Sequence, residues 1–248
     1  MSLSYQATDD DESESGHSES ANTEALRVPV PYYTIILTAA IAVVAAVQLG
    51  TGLDGSIVAA GFDKPAFLVN HEYWRILTGA AVHGSLAHIA MNGYALYSFG
   101  KIFEMLSNRA HLAVVFLLSA IGGGVLSLIF VPDGLSVGAS GGVVGLVSYL
   151  AIYAFRRRQF ISHEFRKSLL INIGFILIFG LVLFQVIDNF GHIGGLITGA
   201  VYGLLQIPSD ENADPRIAGS PVQFVGLAAL GTYLAACAFS IMLIRGVV

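Results

Sequence analysis

Charge is what this sequence has least of. Only 12% of its 248 residues are charged, about half the share found in an average soluble domain. In its place, 55% of the residues are hydrophobic and the mean hydropathy is +0.72, a balance that excludes an ordinary water-soluble domain. Cysteine is nearly missing too. Cys237 stands alone in an apolar run, which excludes a disulfide framework and a Cys-based metal site and fits a small packing residue. The chain starts polar and acidic rather than basic and then apolar, so a cleavable signal peptide is not expected. The net charge of −5 belongs mostly to that start. Asp9, Asp10, Asp11, Glu12, Glu14, Glu19 and Glu24 are seven of the 17 acidic residues, and the remaining ten nearly balance the 12 basic ones. Residues 1–27, rich in Ser, Asp and Glu, read as a disordered cytoplasmic tail, either a solvating leader or an interaction arm.

What remains is a series of long uncharged stretches, at about 28–53, 76–100, 110–132, 134–155, 168–187, 189–209 and 217–244. Each approaches or exceeds the ~20 residues that carry a helix across a hydrocarbon core of ~30 Å. Only helices or closed barrels satisfy their backbone in lipid, and these runs lack the alternation of barrel strands. The expectation is therefore an all-α polytopic membrane protein with seven transmembrane helices. With the N-terminus inside, nine basic residues fall on the cytoplasmic side (Arg27, Lys101, Arg109, Arg156, Arg157, Arg158, Arg166, Lys167, Arg216) and three outside (Lys64, Arg75, Arg245). That asymmetry predicts a cytoplasmic N-terminus and an external C-terminus. The cluster at 156–158 and 166–167 is a topology anchor and calls for no nucleic acid. The first external loop, 54–75, carries Phe62, Phe67, Leu68, Tyr73 and Trp74, and is expected to lie partly in the interface where aromatics settle.

Three spans carry polar groups where lipid is expected. The second holds His83, His88 and Asn92, the fourth opens with Gly138-Ala139-Ser140-Gly141, and the sixth opens with Gly191-His192-Ile193-Gly194-Gly195. Intramembrane polar residues mark functional sites by default. His88 and Asn92, four residues apart, share one helix face. Ser140 precedes Arg156 by 16 residues and His192 precedes Pro208 by 16, which puts both about 24 Å above the inner boundary at 1.5 Å per residue. Counted back from Lys101, His88 stands about 20 Å up and Asn92 about 14 Å up. One water-accessible layer can hold Ser140, His192 and His88. Gly141 with Gly145, and Gly195 with Gly199, form small faces that let two membrane helices approach closely.

That set supports acyl transfer. A serine hydroxyl needs a base, and neutral His192 can take the proton and later return it to the leaving amine. No carboxylate lies in the core of the spans, so the unit reads as a dyad. Asp188, four residues before His192, is either an orienting group or a loop residue at the membrane surface. Oxyanion donors are available from the Ser140 backbone N–H at a helix start and from the side chains of His88 and Asn92. His83 either holds water for deacylation or bonds a loop carbonyl.

The same residues resemble the rhomboid family. Gly138-Ala139-Ser140-Gly141 matches its G-x-S-G motif, His88…Asn92 its H-x-x-x-N, and Gly191-His192-Ile193-Gly194-Gly195…Gly199 its histidine-glycine motif. Trp74-Arg75 resembles the family's first-loop pair and Gly100…Glu104 its G-x-x-x-E. Family members often carry Tyr four residues after the serine, where this chain has Val144. The resemblance runs over about 70–205. It implies a six-helix catalytic core (28–209) and a cytoplasmic loop with a seventh transmembrane helix (210–248). It also implies a serine endopeptidase in a cell membrane, with Ser140 as nucleophile, His192 as base, and His88 and Asn92 in the oxyanion hole. Single-span membrane proteins are the implied substrates, cut near their outer ends without cofactor or metal. Two rivals remain: a catalytically inactive rhomboid-like binding factor, which would lack the Ser or the His, and a His-based metal or transport protein, which would leave Ser140 unexplained.

Overall fold

The computed structural model describes residues 30–183, 185–210 and 213–248, so the expected acidic tail at 1–27 lies outside the described residues. Helix dominates, as lipid requires of an apolar backbone. The order is α1 (Tyr32–Thr51), α2 (Leu53–Ala60), β1 (Phe62–Asp63), α3 (Lys64–Val69), α4 (Arg75–Thr78), α5 (Leu86–Leu106), α6 (Arg109–Phe130), β2 (Leu135–Ser136), α7 (Ser140–Arg156), α8 (His163–Val182), α9 (Asn189–Gln206) and α10 (Ser220–Ile244). By length and composition α1, α6, α8 and α10 can cross a membrane, and α7 is a shorter apolar helix. The polar residues of the site sit on α5, α7 and α9. The protein is an all-α polytopic membrane protein.

Several helices start at a side-chain cap. Ser85, Asn108, Ser162 and Asp188 accept from the first-turn amides of α5, α6, α8 and α9, each satisfying a donor that has no partner within its own helix. The tightest packing is among α6, α7 and α9, and α10 lies against α6 and α1. At one end, Glu104 accepts both the N–H and the hydroxyl of Thr34, each at 2.7 Å. A Cβ at Gly100 would stand 2.6 Å from the Thr34 hydroxyl oxygen. The G-x-x-x-E pattern thus has a physical role, because the glycine admits Thr34 and the glutamate caps α1. At this end too, Arg156 donates to the Ile207 carbonyl and Arg157 to that of Ala213. Ser140, His192 and His88 gather at the other end.

The 54–75 region is ordered. It folds as α2, β1 and α3, and β1 pairs antiparallel with β2, Phe62 opposite Ser136. Its aromatics pack on one another, with Phe62–Phe67 and Phe67–Tyr73 in edge contacts at 5.4 and 5.2 Å. Trp74 meets Phe239 of α10 edge-on. Arg75 forms an ion pair with Glu72 and donates to the carbonyls of Gly61 and Val58.

Two expected spans begin later than their hydropathy implies. Residues 79–85, inside the second expected span, are not helical, and α5 starts only at Leu86. Residues 134–139, inside the fourth, form β2 and an approach to α7 in which Gly138 has φ +116°. Hydropathy counts charges and is blind to backbone conformation. Non-helical backbone survives at such depth only when protein supplies its hydrogen bonds, and here it does. Gly138 N–H donates to Gly79 O at 2.9 Å, and His83 is bonded at both its N–H and its carbonyl by the Gln48 amide.

Candidate active site

Ser140 is the first residue of α7 and His192 the fourth of α9. Their side chains meet, with Ser140 Oγ 2.9 Å from His192 Nε2, the separation a nucleophile and its base require. Glycine makes the approach possible. A Cβ at Gly195 would run into the Gly141 carbonyl, and one at Gly199 into that of Gly145. The two glycine faces inferred from sequence are therefore the α7–α9 contact itself. Val144 packs against Gly195, its Cγ2 2.9 Å from where a Cβ would be.

A third glycine run lies on α6. Gly122, Gly123 and Gly124 on α6 face Thr198, the Gly191 carbonyl and Ile76 respectively. They bring α6 against α9 and α4. The signal is present as three consecutive glycines, yet the span reads as bland because its polar groups, His111, Ser119 and Ser127, fall into no motif.

The start of α7 differs from that of α5, α6, α8 and α9. Ala139 precedes Ser140, so no side chain caps the first-turn amides. Those N–H groups, at the positive end of the helix dipole, stand beside the serine hydroxyl. The cleft over them is lined by Ser140, Gly141, Gly138, Gly79, Ile76 and Asp188, among others.

His88 lies in the first turn of α5, its N–H bound to the Ser85 cap at 3.1 Å. Its imidazole fills the space left by the missing side chain of Gly138, with Cε1 2.6 Å from where a Cβ would stand. Asn92, one turn on, is 5% exposed and donates one amide hydrogen to the His88 carbonyl at 3.1 Å, leaving its second free to donate elsewhere. His83 is fully buried and stands edge-on to His88 with ring centroids 5.1 Å apart.

Asp188 stands just before α9 as its N-cap. One carboxylate oxygen caps α9 at Gly191 N–H, 2.8 Å away. The other accepts the hydroxyls of Ser127 on α6 and Ser136 on β2. Its contact with His192 is the helical bond from the His192 N–H to its carbonyl, and His192 Nδ1 is buried without a hydrogen-bond partner. Serine and histidine are thus hydrogen-bonded as a pair, and Asp188 anchors the helix that carries the histidine. Lys64, 1% exposed, lies in the same corner, where burial pushes its ammonium pKa below the ordinary value against the opposing pull of the Asp188 carboxylate. Among the described residues, no three His, Cys, Asp or Glu side chains converge as a metal site.

A half-buried serine–histidine pair among close-packed membrane helices defines an integral membrane protein with the groups of a serine hydrolase. The family profile described as Rhomboid domain matches residues 70–209, more than half of the chain, and the chain belongs to the rhomboid family. Over 144 residues it is 33% identical to Rhomboid protease GluP of Bacillus subtilis (strain 168), covering 58% of this chain and 28% of that protein. It is 31% identical over 144 residues to RHOMBOID-like protein 6, mitochondrial, of Arabidopsis thaliana, covering 57% and 46%. Inactive RHOMBOID-like protein 8 of Arabidopsis thaliana is 28% identical over 138 residues, covering 56% and 39%. The matched stretch spans less than half the length of each of these relatives.

Proposed function

We propose that the protein is an intramembrane serine endopeptidase that cleaves single-span membrane proteins near the outer face of the bilayer. The observation that carries this reading is the 2.9 Å contact between Ser140 Oγ and His192 Nε2. His192 takes the hydroxyl proton as Ser140 Oγ attacks the scissile carbonyl, and the carbonyl π electrons move onto oxygen. The first-turn N–H groups of α7, with donors from His88 and Asn92, receive that oxyanion. Collapse breaks the C–N bond, and His192 gives its proton to the leaving amine. Water, deprotonated by His192, then releases the acyl group and restores the serine.

On this reading residues 28–209 are the catalytic core and 210–248 an appended loop and seventh helix. The N-terminus is cytoplasmic and the C-terminus external, in a cell membrane. The crowding of Lys101, Arg109, Arg156 and Arg157 at the end away from Ser140 supports that orientation. Some relatives bear the name inactive, but this chain retains both dyad residues. The test is incubation of the purified chain with a panel of single-span segments, with cleavage sites read by mass spectrometry. Products should arise near outer segment ends with wild type and be absent with Ser140→Ala.

A further inference from the structure

The non-helical segment 79–85 forms one wall of the cleft, since Gly79 and Ala80 line it with Ser140. Its hold on the site is direct. The Gly79 carbonyl accepts the N–H of Gly138, two residues before the serine, and His88 follows the segment by one turn. What fixes the segment comes from far away in the chain. Tyr233, in the middle of α10 and fully buried, donates its hydroxyl to the Ala80 carbonyl at 3.0 Å. Gln48 of α1, also fully buried, clamps His83 at two points, donating to its carbonyl at 3.2 Å and accepting its N–H at 3.0 Å. Both tethers lie outside residues 70–209, which the family profile matches.

A buried backbone carbonyl or amide left unbonded is costly, so a tyrosine and a glutamine in mostly apolar helices have a clear reason to point inward. The Tyr233 ring also sits edge-on to Phe116, centroids 4.9 Å apart. Phe116 in turn packs on Gly142, its Cδ2 2.7 Å from the place of a Cβ. One residue of the seventh helix therefore touches the cleft wall by a hydrogen bond and the serine-bearing helix through one ring.

We infer that Tyr233 and Gln48 are positioning residues. They hold the cleft wall so that Gly138 and His88 present the oxyanion side of the site to Ser140. This rests on the protease reading above, and it gives α10 a part in catalysis rather than in anchoring alone.

The test uses the full chain purified in detergent, a cleavable single-span segment, and fluorophosphonate titration to count active sites. Tyr233→Phe removes one oxygen and leaves the ring on Phe116, and Gln48→Leu removes the clamp. Each should lower kcat per titrated site and the rate of fluorophosphonate labelling about tenfold, with KM within about twofold of wild type. A purely structural role would lower the melting temperature and the fraction of titratable sites while leaving kcat per site unchanged. Unchanged kcat per site in Tyr233→Phe, the variant that disturbs packing least, overturns the inference. Cleavage that survives Ser140→Ala would overturn the protease reading itself, and this inference with it.

Discussion

The carbonyl of Gly141 occupies the space that any side chain at position 195 would need. This contact is between backbones, and neither partner can rotate out of the way. Even Gly195→Ala must therefore push α9 from α7. A shift of about 1 Å can cost about 10²-fold in rate, and the separation of Ser140 from His192 is set by the same pair of helices. Gly195→Ala should insert and still lose about 10²-fold in kcat. Wild-type turnover in that variant would show that the glycine faces pack the helices without setting the dyad.

Gly138 is needed for two independent reasons. Its φ of +116° lies where side chains are strained, and a Cβ would meet the His88 ring at 2.6 Å. Gly84, on the far side of His88, has room, because its Cβ would stand 3.6 Å from Val137 and 4.0 Å from His88. Gly138→Ala should abolish cleavage in a protein that still inserts, while Gly84→Ala should stay within a few-fold of wild type. Equal activities would detach His88 from the site.

Asn92 has one amide hydrogen on the His88 carbonyl and one to spare. Loss of a single oxyanion donor typically costs about 10²–10³ in turnover. The uncapped amides of α7 and His88 share the work here, so Asn92→Ala should cost about tenfold in kcat. An effect confined to KM would make Asn92 a substrate contact instead.

Lys64 offers a test by pH. Burial holds its folded pKa below the ordinary lysine value, so the unfolded chain binds this proton more tightly. Stability is then lowest with Lys64 charged and rises with pH from its folded pKa up to about 10.4. The difference in melting temperature between wild type and Lys64→Met should shift in favour of wild type between pH 8 and pH 10. A pH-independent difference would place the ammonium in contact with water.

Much of this was legible in the sequence. Ser140 and His192 stand out because intramembrane polar groups are rare and because counting at 1.5 Å per residue puts both at one height. The α7–α9 glycine faces followed from spacing. The breaks at 79–85 and 134–139 were not legible, since an apolar stretch has the same hydropathy whether or not it is helical. The tethers of Tyr233 and Gln48 are not legible for a related reason. Each lies in a long, mostly apolar helix, and its partner is a backbone carbonyl or amide that no side-chain pattern reveals. The role of Asp188 depended on Ser127 and Ser136, which only folding brings to it.

The dyad itself is the central claim, and the most direct measurement is where a fluorophosphonate attaches. In purified wild-type protein, peptide mapping should find the label on Ser140, and His192→Ala should lower the labelling rate to background. Ser140→Ala and His192→Ala should each abolish cleavage, with the double variant no worse than either, because the two residues act as one unit. Label on another residue, or labelling of Ser140 undiminished in His192→Ala, would contradict the account.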